Sequence, residues 1–247
     1  MKKNICKILL LSVCLLTLAA CGGAQSFTSA EDGLIITADS SWQMPDKEDG
    51  LQAAYGESES EVAEMVECIL EQNGGKALLS VEKNDVSAYL SEQANYITWL
   101  NRQYNLLPED ELDNWLSAQN QDDTALLDAY REAAIADDTS AETLNYIEIL
   151  NEDANWLSQL STVEGYELLG KEEADILGQK TQILHYKYAA NEDTMLEFME
   201  VSAIKDNMLY TVTIWAEESR FAKNQATYKE MLTSLAWVGA PEAETAE

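Results

Sequence analysis

Residues Met208 to Ala216 read MLYTVTIWA, and no other stretch restricts the fold as much. Successive side chains of a strand point to opposite faces of its sheet. Met208, Tyr210, Val212 and Ile214 therefore share one face, while Leu209, Thr211, Thr213 and Trp215 share the other. Both faces carry apolar groups, so the sheet containing this strand must be covered on both sides. A one-sided, half-solvated sheet is excluded, and the rest of the chain has to supply two covering layers.

The flanking sequence contains segments suited to both jobs. Gly33–Asp39, Lys76–Glu82, Tyr166–Leu169 and Thr194–Ile204 read as strands, and Asp206-Asn207 forms a turn before MLYTVTIWA. Ile176–Tyr188 reads as a strand pair or as one long bulged strand. Ser60–Gln72 places Val62, Met65, Val66, Ile69 and Leu70 at helical spacing and ends at Gly74-Gly75. Between 85 and 160 four helices are expected. The first runs from an Asp85 cap to about Tyr104, and the second starts at Pro108 and carries Leu112 and Leu116. The third runs from Asp122 or Asp123 to Ile135, and the fourth from Thr139-Ser140 to Leu160. Ser219 caps a closing helix with an apolar stripe of Phe221, Tyr228, Met231, Leu232 and Leu235. Residues 239–247 are acidic and expected to be disordered. The organisation predicted is a leader over 1–20, a flexible tether over 21–32 and one α+β domain over 33–238 with a helical insertion at about 85–160.

The leader has three lysines, Lys2, Lys3 and Lys7, then an apolar run from Ile8 to Leu18 and small residues before Cys21. These are the regions of a secretory signal peptide. The run falls well short of the about 20 residues that a membrane-spanning helix needs. Leu18-Ala19-Ala20-Cys21 resembles the lipobox of bacterial lipoproteins. The resemblance implies that Cys21 is lipidated, becomes the first residue of the mature chain and anchors it outside the cytoplasm on the bacterial cell membrane. The alternative is an ordinary signal peptide in which Cys21 stands by chance.

Charge and cysteine usage bear on partners. The formal net charge is −30, and loss of the leader's three lysines takes it to near −33. A surface this acidic repels nucleic acid and anionic headgroups, so membrane attachment has to come from covalent lipid. One acyl chain holds a protein only marginally and two hold it stably, and the diacylglyceryl group implied by the lipobox has two. Cys6 and Cys14 leave with the leader and Cys21 is modified, so Cys68 has no partner for an internal disulfide.

Signatures of catalysis are scarce. His185 is the sole histidine and no Gly-x-Ser-x-Gly elbow accompanies it, so it reads as an ordinary sheet residue. No zinc spacing is present, and the acidic groups Asp46/Glu48/Asp49 and Asp122/Asp123 do not follow the calcium-loop pattern. No catalytic residue, metal or cofactor is expected. Trp99, Trp115 and Trp156 stand out in the helical stretch. Either they pack the insertion onto the sheet, or they line a groove and contact a ligand or partner.

Ile36–Trp42, the segment LGQKTQILHYKY, the ending YTVTIWAEE and the closing RFAKNQATYKEMLTSLAWV together resemble the PsbP/Mog1/DcrB-like family. The resemblance covers 33–42 and about 163–238, and the stretch 85–160 is longer than that family's usual connection. It implies an antiparallel sheet between helical layers, and a role in assembly or partner binding. No metal ligand of the family matches a residue here. The expected function is a lipid-anchored envelope protein that binds a protein or small ligand without catalysis. The rival is a carboxylate-dependent hydrolase of envelope glycans. A groove with two carboxylates at glycosidase spacing favours the rival, and an exposed apolar patch without one favours the binder.

Overall fold

The computed structural model describes residues 23–29, 33–56, 61–106, 111, 114 and 124–239. The leader, Cys21, Trp115, the helix expected after Pro108 (apart from Glu111 and Asn114) and residues 240–247 lie outside them. Among the described residues the strands are β1 (Ala24–Thr28), β2 (Leu34–Asp39), β3 (Trp42–Gln43), β4 (Val66–Gln72) and β5 (Ala77–Asp85), followed by β6 (Glu167–Ile176), β7 (Gln179–Asn191), β8 (Thr194–Lys205), β9 (Met208–Glu217) and β10 (Ala236–Trp237). The helices are α1 (Lys47–Tyr55), α2 (Glu61–Met65), α3 (Ser87–Tyr104), α4 (Thr124–Ala136), α5 (Ala141–Leu160) and α6 (Glu218–Thr233). The main sheet runs β3-β4-β5-β9-β8-β7-β6, antiparallel throughout, and a smaller antiparallel sheet runs β1-β2-β10. No helix among the described residues is long and apolar enough to cross a membrane.

The expected plan, an antiparallel sheet flanked by helices, is present. β9 lies inside the main sheet and is covered on both faces. Tyr210, Val212 and Ile214 join a cluster with Leu79, Val201, Phe221, Tyr228 and Leu232, which seats α6 and the small sheet on one side. Trp215, on the opposite face, joins Leu78, Leu184, Tyr186 and Phe198 with Leu51 of α1 and Leu157 and Leu160 of α5. A further cluster binds α3, α4 and α5 to one another through Ile97, Leu100, Leu126, Tyr130, Ile147 and Leu150. Turn chemistry sets the hairpins. Asp206 and Asn207, between β8 and β9, both hold positive φ (53° and 64°), as a type I′ turn requires.

Several expectations need correction. Residues 60–72 were expected to be one helix, but only Glu61–Met65 is helical, and Val66–Gln72 is strand β4 paired to β5. Val66, Ile69 and Leu70 satisfy helical spacing and a two-faced strand equally well. The open edge of β5 decides between them by offering backbone partners, and a register shift at Val66/Cys68 fits the strand in. Cys68 is therefore a buried strand residue, and burial pushes its thiol up to about 12, with Glu67 adding to the rise. The tether is corrected too. Ala24–Thr28 pairs with β2, Ala24 opposite Asp39 and Thr28 opposite Ile35, so part of 21–32 belongs to the fold. Small polar residues do not advertise a strand, and this one is recruited by the free edge of β2. Residues 176–188 resolve as a hairpin turning at Leu177-Gly178, where φ is 58° and 75°. Glu217, not Ser219, occupies the cap position of the closing helix.

Candidate functional site

The sheet face beneath α5 is not uniformly apolar. Ser80 of β5, Thr213 of β9 and Glu200 of β8 stand in one rung, and Glu82, Thr211 and Ser202 in the next. The rung on the other side of the first carries Leu78, Trp215, Phe198 and Tyr186. A polar band thus crosses the centre of the sheet beside an aromatic one. Helix α5 spans this band. Its Leu157 and Leu160 are anchored on the apolar face, while Ile149 is anchored with Val86, Leu90, Ile204 and Leu209. Between these anchors it presents Glu152, Asp153 and Trp156, and α1 closes another side with Ala54 and Tyr55. The result is a cavity of about 320 Å³.

Glu200 is the centre of the site. It is only 6% exposed, yet it lines the cavity. Tyr186 Oη donates to its Oε2 at 3.0 Å, and Thr213 Oγ1 donates to the same oxygen at 3.0 Å. Trp156 Nε1 in turn donates to Tyr186 Oη at 3.1 Å, so a residue of α5 orients a group on β7 that orients a group on β8. Oε1 of Glu200 receives neither of these bonds. Burial pushes the Glu200 carboxyl up to about 7; the two hydrogen bonds oppose the rise and the charge of Glu82 adds to it. Glu82 Oε1 accepts from Tyr55 Oη at 2.7 Å. Burial raises the phenols of Tyr55 and Tyr186 well above their ordinary range, so both act as neutral donors. Glu152 is also raised, by burial.

The aromatic wall is continuous. Tyr188 and Phe198 stack with centroids 4.5 Å apart, Tyr186 and Phe198 at 5.1 Å, and Phe198 and Trp215 at 6.2 Å. Tyr55 continues the row at 6.4 Å from Trp215. Carboxylates from Glu82, Glu152, Asp153 and Glu200 share the cavity, and no basic side chain is found among its described lining residues.

The tryptophans singled out in the sequence have separate places. Trp156 borders the cavity. Trp99 is 41% exposed, stacks on Tyr96 at 6.0 Å and does not line it. Trp115 is outside the described residues. His185 lies on the other face of the sheet, where it shares a 2.6 Å hydrogen bond with Glu197 and stacks on Phe221 at 5.6 Å. Sequence reasoning passed over Glu200, Glu82, Tyr186 and Tyr55. One signal for Glu200 was available: an acid in the centre of the apolar run TMLEFMEVSAI cannot be buried without partners.

No family model matches the chain, and no curated protein matches it. Among solved structures it is similar to cyanobacterial PsbP from Synechocystis sp. PCC 6803, at 16% identity over 92% of this chain and 98% of that one, with a TM-score of 0.43. It is also similar to the Ran-binding protein Mog1p of Saccharomyces cerevisiae, at 9% identity over 88% and 96% of the two chains and a TM-score of 0.42. A third is LpqN of Mycobacterium tuberculosis, described as involved in cell envelope biogenesis, at 7% identity over 86% and 89% and a TM-score of 0.35. At these identities and scores the likeness concerns the arrangement of strands and helices and says nothing of chemistry or partner.

Proposed function

We propose that the chain is a lipid-anchored, extracytoplasmic protein of the bacterial envelope that holds a small ligand, without catalysis, between its sheet and α5. The observation that carries the ligand reading is Glu200. Glu200 is buried yet lines the cavity, with both hydrogen bonds on one oxygen, so its ionised form is costly there unless a ligand of opposite charge enters to meet it. The anchor rests on the leader and Cys21, and on an acidity that removes any electrostatic route to the membrane. The helical layer of α3, α4 and α5, which Trp99 decorates, remains available to a protein partner. Native mass spectrometry of the full chain, extracted from its own membranes in mild detergent, tests the ligand reading. The wild type is expected to carry a small adduct that Ser202→Phe, which fills the cavity floor, does not retain. Identical spectra from two folded proteins would refute it.

A second reading has a specific observation behind it. The cavity is lined by several carboxylates, and a Glu200 carboxyl held up to about 7, with Glu82 also in the lining, suits a general acid. The two residues sit on strands separated by β9, so their backbones are about 10 Å apart laterally. Release of reducing ends from wall glycan fragments, lost in Glu200→Gln, would install the hydrolase and displace the binder.

A further inference from the structure

We infer that the ligand of this cavity is an organic cation, an alkylammonium head seated against Glu200 with its apolar substituents on the Tyr188–Phe198–Trp215 ring row. This rests on the cavity being a ligand site. Three features of the lining point the same way. First, Glu82, Glu152, Asp153 and Glu200 face one small space, and no basic side chain is found among the described residues that line it. Second, the donors that reach Glu200 and Glu82 are already engaged with them. Tyr186 and Thr213 both donate to Glu200 Oε2, and Tyr55 donates to Glu82 Oε1, so neither of the bonds to Glu200 falls on its Oε1. Ser80, Asn84, Ser202 and Thr211 add hydroxyls and an amide to the lining, but its acidic side chains are balanced by no basic one, which disfavours an anion and favours a cation. Third, Tyr188, Phe198 and Trp215 give the space an apolar aromatic side on which alkyl substituents of such a cation can pack.

A metal ion fits less well. Among the described residues no three His, Cys, Asp or Glu side chains come together in a way that could hold one. A hard cation also needs six or more oxygens close to it, whereas Tyr188, Phe198 and Trp215 make one side of this cavity aromatic. At about 320 Å³ the space is at the small end of ligand pockets, which suits a compact head group better than a chain of sugars.

The test is isothermal titration calorimetry on the full chain in mild detergent at fixed ionic strength, with choline chloride, tetramethylammonium chloride and 3,3-dimethylbutan-1-ol, the neutral isostere of choline. Choline is expected to bind at least tenfold more tightly than the alcohol. Glu200→Gln is expected to weaken choline at least tenfold and leave the alcohol unchanged, and Tyr188→Leu to weaken both ammonium probes. Circular dichroism melting checks that each variant folds. Equal binding of choline and the alcohol, or choline binding indifferent to Glu200→Gln, overturns the assignment. If neither ammonium probe binds while native mass spectrometry finds a neutral or anionic adduct, the cation is wrong and the ligand cavity stands. If neither method finds a ligand, both are wrong.

Discussion

Trp156 on α5 and Glu200 on β8 are coupled through one phenol: Trp156 Nε1 donates to Tyr186 Oη at 3.1 Å, and Tyr186 donates to Glu200 Oε2 at 3.0 Å. A helix at the rim thereby fixes the hydroxyl that orients the carboxylate on the floor. Removing Trp156 should loosen that orientation as well as open the rim. Trp156→Ala is expected to cost about 2 kcal/mol of ligand binding. Trp99→Ala, at an exposed stacked position, should leave cavity binding intact and cost less stability than the about 3–5 kcal/mol of a fully buried tryptophan. Trp115→Ala completes the set. Calorimetry and recovery of crosslinked protein partners, measured for each variant alongside its melting, separate the roles. If Trp99→Ala and Trp115→Ala both melt normally and still recover a partner, the helical layer is not a docking face.

Glu200 also makes stability depend on pH. Its folded carboxyl titrates at about 7, above the ordinary value of 4.5, so the folded state binds the proton more tightly than the unfolded chain does. Its contribution is therefore fully present below about 4.5 and is lost as pH rises through about 7. The groups that face it are Tyr186 and Tyr188 from β7, Thr213 from β9, Glu82 from β5, Tyr55 from α1, and Glu152 and Asp153 from α5. None is a cation that would reverse the direction. Urea unfolding at about pH 5 and about pH 8 should show wild type losing about 2 kcal/mol more than Glu200→Gln. Parallel losses in the two proteins would mean that Glu200 is not buried as described.

Cys21→Ser is expected to block lipid addition and change the fractionation of the protein. Intact-mass measurement of the wild type decides the matter, because a mature chain of unmodified mass rules out the anchor.

His185 should be dispensable for binding, since its ring lies across the sheet from the cavity, on Phe221 and Glu197. His185→Asn is expected to cost about 1 kcal/mol of stability and to leave choline affinity within twofold of wild type. Loss of all cellular function in a folded His185→Asn protein would bring an enzymatic role for the other face back into question.

Local chemistry was enough for the elements whose periodicity is complete within one segment. The two-faced alternation of Met208–Ala216 announced a covered sheet, Asp206-Asn207 announced the β8–β9 turn, and the stripe from Phe221 to Leu232 announced α6. Helix α5 announced its own start at Ser140, whose side chain accepts from the Thr143 N–H. In each case the signal is a spacing or a cap, and both are properties of a few neighbouring residues.

Tertiary structure alone decided the rest. Val66–Gln72 became a strand because β5 had an edge to fill, and Ala24–Thr28 because β2 had one. The cavity required more still. Its floor takes Glu82, Thr213 and Glu200 from β5, β9 and β8, its wall takes Tyr186 and Tyr188 from β7, and its roof takes Trp156 from α5. Register set which side chains of those strands share a rung, and packing at Ile149 and Leu157 set where α5 crosses above them. Neither register nor crossing is written in any one segment, because both result from backbone pairing and burial between residues far apart in the chain.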